Sequence, residues 1–260
     1  MTPALSLNHK RVLVPRGKGQ AESYSELVEE YDGVPIKIPL IAFRPIENNQ
    51  LFAKCLKKLN TYDWLIFTSN VTVETFFSLA DSAVKVDLPK IAVIGKRTEA
   101  VLKEKGVSAV FVPSAYVAET FVKEFLPLVS TGIRVLLPKG NLARDYIAAS
   151  LTKAGAVVDE VIIYENYLPD DSRESLASAL ENQRLDILTF TSPSTVDHLM
   201  AVVRENQLQE KLQGLVIGCI GPVTEKRLQE YGLPIHASPK VYTVKEMLKS
   251  LALFLTKKQV

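Results

Sequence analysis

The chain carries one pattern twice, about half a length apart. Val12-Leu-Val-Pro-Arg-Gly17 returns as Val135-Leu-Leu-Pro-Lys-Gly140, and Phe67-Thr-Ser69 returns as Phe190-Thr-Ser192, each 123 positions later. Ile94-Gly-Lys-Arg-Thr98 returns as Ile220-Gly-Pro-Val-Thr224 after 126 positions, and Gly106/Gly232, Pro113/Pro239 and Tyr116/Tyr242 keep that offset. Such a period is far longer than the roughly 20–50 residues of a solenoid unit. It predicts two similar lobes, and two facing lobes make a cleft.

Length and composition fit that reading. The 260 residues suffice for two domains, each with its own core, and 47% apolar with 23% charged residues is a globular profile. The formal net charge is only +2 and no block of like charges occurs. This argues against nucleic acid as a partner, and any anion must be met by a local field. Cys55 and Cys219, 164 positions apart with no CxxC or Cys/His cluster, are expected to be buried free thiols rather than a disulfide or metal site. Met1 to Lys10 lacks the apolar core of a signal peptide, and no apolar run approaches the ~20 residues of a membrane span. The expectation is a cytoplasmic protein with no membrane partner.

Short apolar runs alternate with amphipathic stretches. Strands are predicted at Arg11–Pro15, Trp64–Thr68, Ile91–Ile94, Ala109–Val112, Arg134–Pro138, Asp186–Thr191, Val216–Ile220 and Ile235–Ala237. They are too uniformly apolar to be half-exposed, which suits parallel strands covered on both faces. Helix patterns lie between them, two of which end on Gly106 and Gly232. The fold class is therefore α/β with parallel sheets. Val34–Phe43 and Val158–Leu168 are longer, β-branched, aromatic, and run into Pro45 and Pro169. They read as extended connectors between lobes, paired as a two-stranded ladder. Lobe one is then discontinuous (1–36 and 169–260), lobe two continuous (45–160), with connectors at 37–44 and 161–168, and two crossings make a hinge.

Ligands of open α/β sheets sit beyond the carboxyl ends of the strands. There the chain places Arg16, Thr68, Ser69, Gly95, Thr98, Lys139, Gly140, Asn141, Ser192, Ser194, Gly221, Thr224 and Thr243. Small hydroxyls and glycines at helix starts present backbone N–H groups at the positive end of the helix dipole, a site for carboxylates or phosphates. The same residues are also the preferred N-caps, so cap and anion site both stand as readings. Their concentration at corresponding loops of both repeats favours the second. No P-loop, HExxH or Ser–His–Asp arrangement occurs. His198 falls within a helix pattern and reads as a packing residue. Arg144 reads equally as a solvated helix residue. Tyr164, in the second connector, suits strand packing but could also face the cleft and donate a proton.

Taken together, Phe67-Thr-Ser-Asn70, Ile94-Gly-Lys-Arg-Thr98, Leu137-Pro-Lys-Gly-Asn-Leu-Ala-Arg144, Tyr164-Glu-Asn166, Phe190-Thr-Ser-Pro-Ser194, Ile220-Gly-Pro-Val-Thr224 and Ser238-Pro-Lys-Val-Tyr-Thr243 give a chain that resembles the uroporphyrinogen-III synthases over its whole length. The resemblance implies two flavodoxin-like lobes joined by a two-stranded connector and a cofactor-free hydro-lyase. Its partner would be the small-molecule substrate hydroxymethylbilane, closed to uroporphyrinogen III with loss of water and inversion of ring D through a spiro intermediate. A monomer is expected, with at most a transient contact to the preceding enzyme of the pathway. By the same resemblance Tyr164 is the candidate catalytic acid and Thr98, Ser192 and Thr224 contact substrate. Ser69, Lys139 and Thr243 carry over as further contacts. Asn70 stands where the second repeat has Pro193, so the two loops need not bind alike. Two rival readings are a two-lobed sensor or receptor for a carboxylated ligand and a flavodoxin-type redox protein. The missing export signal weighs against the receptor.

Overall fold

The computed structural model describes residues 5–17, 19–80 and 88–257. The chain divides into two compact units: unit 1 is built from residues 1–42 and 167–260, and unit 2 from residues 43–166. The first segment supplies β1 (Arg11–Val14), α1 (Ala21–Glu30) and β2 (Val34–Lys37). There follow β3 (Ala42–Pro45), α2 (Gln50–Lys57), β4 (Trp64–Phe67), α3 (Asn70–Leu79), β5 (Lys90–Val93), α4 (Lys96–Glu104), α5 (Ala118–Phe125), β6 (Arg134–Gly140), α6 (Tyr146–Lys153) and β7 (Val157–Tyr167). The last segment adds α7 (Asp170–Glu181), β8 (Ile187–Phe190), α8 (Pro193–Glu205), β9 (Val216–Cys219), α9 (Pro222–Glu230) and α10 (Val244–Lys257).

Unit 1 forms a four-stranded sheet of order β2-β1-β8-β9, and unit 2 a five-stranded sheet of order β3-β7-β6-β4-β5. The repeat maps β1 onto β6, β8 onto β4 and β9 onto β5, so the shared four-strand order is the sequence duplication seen in space. The ladders β1/β2, β1/β8, β8/β9, β4/β5, β4/β6 and β6/β7 are parallel. Side-chain alternation sends successive residues to opposite faces. In unit 1, Leu13, Leu188, Phe190 and Ile217 pack with Leu176, Val196 and Leu199 of α7 and α8, while Val12, Val14, Ile187 and Val216 pack with Val28 of α1 and Leu248 and Leu251 of α10. In unit 2, Leu65, Phe67, Ile91 and Val93 meet Val73, Phe76 and Leu102, while Trp64, Ile66 and Val135 meet Phe121, Phe125 and Leu151. Phe76 contacts Phe52 and Phe67 edge-on at 5.5 and 5.3 Å, so truncating it to alanine would cost about 3–5 kcal/mol. Both faces of both sheets are covered, which is why the strands read as unbroken apolar runs. Cys55 and Cys219 are free and buried.

Several expectations are corrected. Val34–Phe43 is not one connector. Its first four residues are β2, in register with β1 from Arg11↔Val34 to Val14↔Lys37. Pro39, which has no N–H to give a ladder, lies between β2 and β3. Val158–Leu168 is more than a connector: it belongs to β7, which pairs with β6 from Val157 to Tyr164, while the expected pairing of the two connector segments is present where β7 lies beside β3. Ala109–Val112 and Ile235–Ala237 make only single bridges, Ala92↔Phe111 and Gly218↔Ala237. Both segments still bond to the adjacent strand, Val110 N–H to the Ile91 carbonyl at 2.8 Å and His236 N–H to the Ile217 carbonyl at 2.9 Å, but Pro113 directly follows the first and Pro239 lies two residues past the second, and neither can donate to extend the pairing. Among the described residues no helix is long and apolar enough to cross a membrane.

Candidate functional site at the strand ends

In unit 1, β8 and β9 run side by side to Phe190↔Cys219. The next residues are Thr191-Ser192-Pro193 and Ile220-Gly221-Pro222. Ser192 and Gly221 are the N-caps of α8 and α9, with a proline in each first turn and no side-chain cap bond at either. Proline suits that turn because its missing N–H has no partner there in any helix. Thr195 Oγ1 donates to the Ser192 carbonyl at 2.7 Å. The Ser192 Oγ and Thr191 Oγ1 atoms are themselves buried without a protein partner. A buried hydroxyl left unpaired costs about 1–3 kcal/mol, so each of these two atoms is short of a hydrogen-bond partner within the protein. Gly221 has φ 79° and ψ 161°, a region essentially confined to glycine. Ser194 and Thr224 lie in the same helix starts, with Thr224 buried. Tyr242, 61% exposed, lies over Gly221, its ring 3.8–3.9 Å from where a Cβ would stand. Thr243 Oγ1 accepts from Glu246 N–H at 3.2 Å and so caps α10. Arg16, half-buried, follows β1, and its charge lies close enough to act on the buried Tyr24 phenol, whose pKa burial raises.

In unit 2 the matching serine behaves differently. Ser69 Oγ accepts from Thr72 N–H at 3.1 Å and shares a hydrogen bond with Thr72 Oγ1 at 2.8 Å. Gly95, the N-cap of α4, has φ −142°, an ordinary extended value. Tyr116, 48% exposed, lies over it, its Cβ 3.7 Å from where a Gly95 Cβ would stand. Thr98, two residues into α4, is buried, and Thr68 is half-buried just after β4. Beside them the β6/β7 ladder slips: Lys139 pairs with Ile162 but Gly140 with Tyr164. The extra residue, Ile163, is fully buried, and its carbonyl accepts from Ile46 N–H at 2.9 Å. A bulge of this kind re-aims the side chains that follow it. Tyr164 thus lies across Gly140, with its hydroxyl 3.5 Å from Ser69 Oγ and its ring edge-on to Phe43 at 5.8 Å. Asn141 N–H donates to the Tyr164 carbonyl at 3.2 Å, and Asn141 Oδ1 accepts from Asn166 N–H at 2.9 Å.

Ser69, Gly140, Asn141 and Tyr164 are therefore brought together, as are Ser192 with Gly221. Lys139 is not available in the same sense. It is 8% exposed, and its Nζ donates to Asp145 Oδ1 at 2.6 Å and Glu160 Oε1 at 2.7 Å. Burial works to lower its pKa, but the two carboxylate hydrogen bonds outweigh it and raise it. One ammonium between two carboxylates offers little positive field to a substrate acid. Arg144 is paired with Glu119 at 3.1 Å on the surface. His198 holds the Leu40 carbonyl through Nδ1, a packing role. Tyr116 lies outside the residues expected at the strand ends, although the offset it shares with Tyr242 is a signal for it. Two clefts of about 450 and 400 Å³ in unit 1 lie around Gln213–Val216, toward the amino ends of the strands. The first contains the Arg11–Asp186 ion pair, and neither holds a helix start from the strand ends.

Fold and strand ends together define a class: a duplicated α/β protein with parallel ladders in both sheets and helix starts gathered beyond the strands. The family model described as uroporphyrinogen-III synthase HemD matches residues 22–249. A Methanothermobacter thermautotrophicus protein provisionally assigned as a uroporphyrinogen-III synthase is 34% identical over 87% of this chain and 91% of its own. The uroporphyrinogen-III synthase of Synechococcus elongatus is 27% identical over 93% of this chain and 94% of its own. A mutant uroporphyrinogen III synthase from Thermus thermophilus shares the fold with a TM-score of 0.66 at 20% identity, covering 95% of this chain and 99% of that one. The chain belongs to the uroporphyrinogen-III synthase family, an enzyme family of porphyrin biosynthesis.

Proposed function

We propose that the chain closes hydroxymethylbilane to uroporphyrinogen III, acting as a hydro-lyase that inverts ring D. The observation that carries this reading is Tyr164, a phenol held across Gly140 and within 3.5 Å of a serine hydroxyl at the strand ends. The C–O bond of the hydroxymethyl group breaks as the Tyr164 phenol gives its proton to the departing hydroxide, which leaves as water. The bilane becomes an azafulvene cation. Ring D attacks through its substituted carbon to give the spiro intermediate, which reopens and recloses with the ring inverted. The pyrrole proton lost on rearomatisation restores the phenol, so the net change is one water lost. General acid catalysis of this kind contributes about 10²–10⁴-fold. The enzyme's larger task is to fix which carbon attacks, a matter of holding a flexible chain in one geometry. The substrate's acetates and propionates suit the uncapped starts of α8 and α9 and the Ser192 and Thr191 hydroxyls.

The test is incubation of purified protein with freshly made hydroxymethylbilane and isomer analysis of the product. The type III isomer is expected. Only the type I isomer, which the bilane forms unaided, would overturn the reading.

A further inference from the structure

We infer that Gly140 is a positioning residue for the reaction, which acts by leaving room for the Tyr164 ring rather than by touching substrate. The inference rests on Tyr164 acting as proton donor. A Cβ added at Gly140 would stand 2.5 Å from Tyr164 Cε2 and Cζ and 2.8 Å from its hydroxyl. Carbon atoms pack at about 3.5–4.0 Å, so any side chain at 140 expels the ring from its place. Gly140 is not among the positive-φ glycines, so its backbone accepts an alanine, and the three atoms nearest the added methyl all belong to the phenol. The atoms in the way are the far end of a side chain on a half-buried residue. The ring can swing aside at small cost to stability, and the damage falls on geometry.

The surrounding contacts show what that geometry is. Regular pairing of β6 with β7 would set Ile163 opposite Gly140; the bulge sets Tyr164 there instead. The phenol then meets Ser69 Oγ, which is itself fixed by Thr72 N–H and Thr72 Oγ1. Phe43 closes the other side of the ring. Bulge, glycine and serine thus define one position for one hydroxyl. A displacement of about 1 Å in a catalytic group can cost about 10²-fold in rate.

The experiment compares wild type, Gly140→Ala, Tyr164→Phe and the double variant, reading kcat, KM and thermal melting. Gly140→Ala should lower kcat about 10- to 100-fold, leave KM within about two-fold and melt within about 4 °C of wild type. The double variant should be no slower than the slower single, because both act through one hydroxyl. Wild-type kcat in Gly140→Ala, a loss confined to KM, or losses that multiply in the double variant would each overturn the inference. If Gly140→Ala does not fold, Gly140→Ala/Tyr164→Ala decides. Melting like Tyr164→Ala alone supports a clash with the ring, and continued failure to fold refutes it. A wild type that forms only the type I isomer sinks the proposed function instead, and the melting comparison still reports on the Gly140–Tyr164 contact.

Discussion

Ser69 and Ser192 follow matched strands and open matched helices, but the two units use them differently. In unit 2, Asn70 brings an N–H and a polar side chain to the first turn, and Ser69 turns inward to cap Thr72 N–H. In unit 1, Pro193 removes the first donor, Thr195 bonds back to the Ser192 carbonyl, and the Ser192 hydroxyl remains without a protein partner. The glycines diverge in parallel: Gly95 is extended, whereas Gly221 occupies a conformation other residues avoid. Unit 2 supplies a phenol held in place, and unit 1 supplies open helix starts. Under the proposed function the first arrangement serves proton transfer and the second meets the substrate's acid groups.

The largest expected effect tests the first half of that division. Tyr164→Phe should lower kcat about 10²–10⁴-fold with little change in KM; unchanged formation of the type III isomer would remove the phenol from the chemistry. Next, Gly221→Ala should lose about 1–3 kcal/mol of stability through backbone strain, whereas Gly95→Ala should stay within about 0.5 kcal/mol. Equal losses in denaturant titrations would erase the contrast between the glycines. Third, Ser192→Ala should raise KM about tenfold, equivalent to about 1.4 kcal/mol, and should hold or raise the melting temperature, because it removes a buried hydroxyl that has no protein partner. Ser69→Ala should lose about 1 kcal/mol of stability with its cap. The reverse pattern would invert the assignment of the two serines.

The smallest effect is with pH. Hydrogen bonds from the Arg11 side chain, opposed by burial, hold Asp186 of unit 1 below its ordinary pKa. Lys58 and Tyr62 do the same for Asp159 of unit 2. A depressed native pKa stabilises above the unfolded value and is lost as pH falls through the native one. Both contributions are therefore complete above about pH 4 and fade below it. Asp186→Asn should lower the melting temperature at pH 7 and flatten its decline in acid; an undiminished acid decline would show that this pair does not contribute.

Much of this was legible in the sequence. The duplicated motifs carry the common strand order, Gly106 and Gly232 close their helices at φ 77° and 68° as the pattern predicts, and His198 packs where its helix period puts it. Pro193 against Asn70 already hinted that the loops differ. What could not be read depends on register. Lys139 looks like a free cation after a strand, and only the β6/β7 pairing reveals Glu160, 21 positions away, beneath it. A single extra residue at Ile163 decides whether Tyr164 or its neighbour faces Gly140, and no periodicity signals a bulge. The short edge segments at 109–112 and 235–237 make single bridges rather than strands, because hydropathy records burial and does not fix how far a ladder runs.

The sheet order of unit 1 has a consequence for biogenesis. β1 lies between β2 and β8, and Arg11 meets its partner Asp186 across 175 positions of chain. A ribosome adding about 5–20 residues per second takes on the order of 10–30 s to cover that distance. During that interval all of residues 43–166 emerge and can fold, while Val12, Leu13 and Val14, each destined for full burial, lack the strand that will complete their sheet. The β1 segment thus waits, its β8 edge open, until residues far down the chain are made, and exposed apolar strand edges of that kind are aggregation-prone during synthesis.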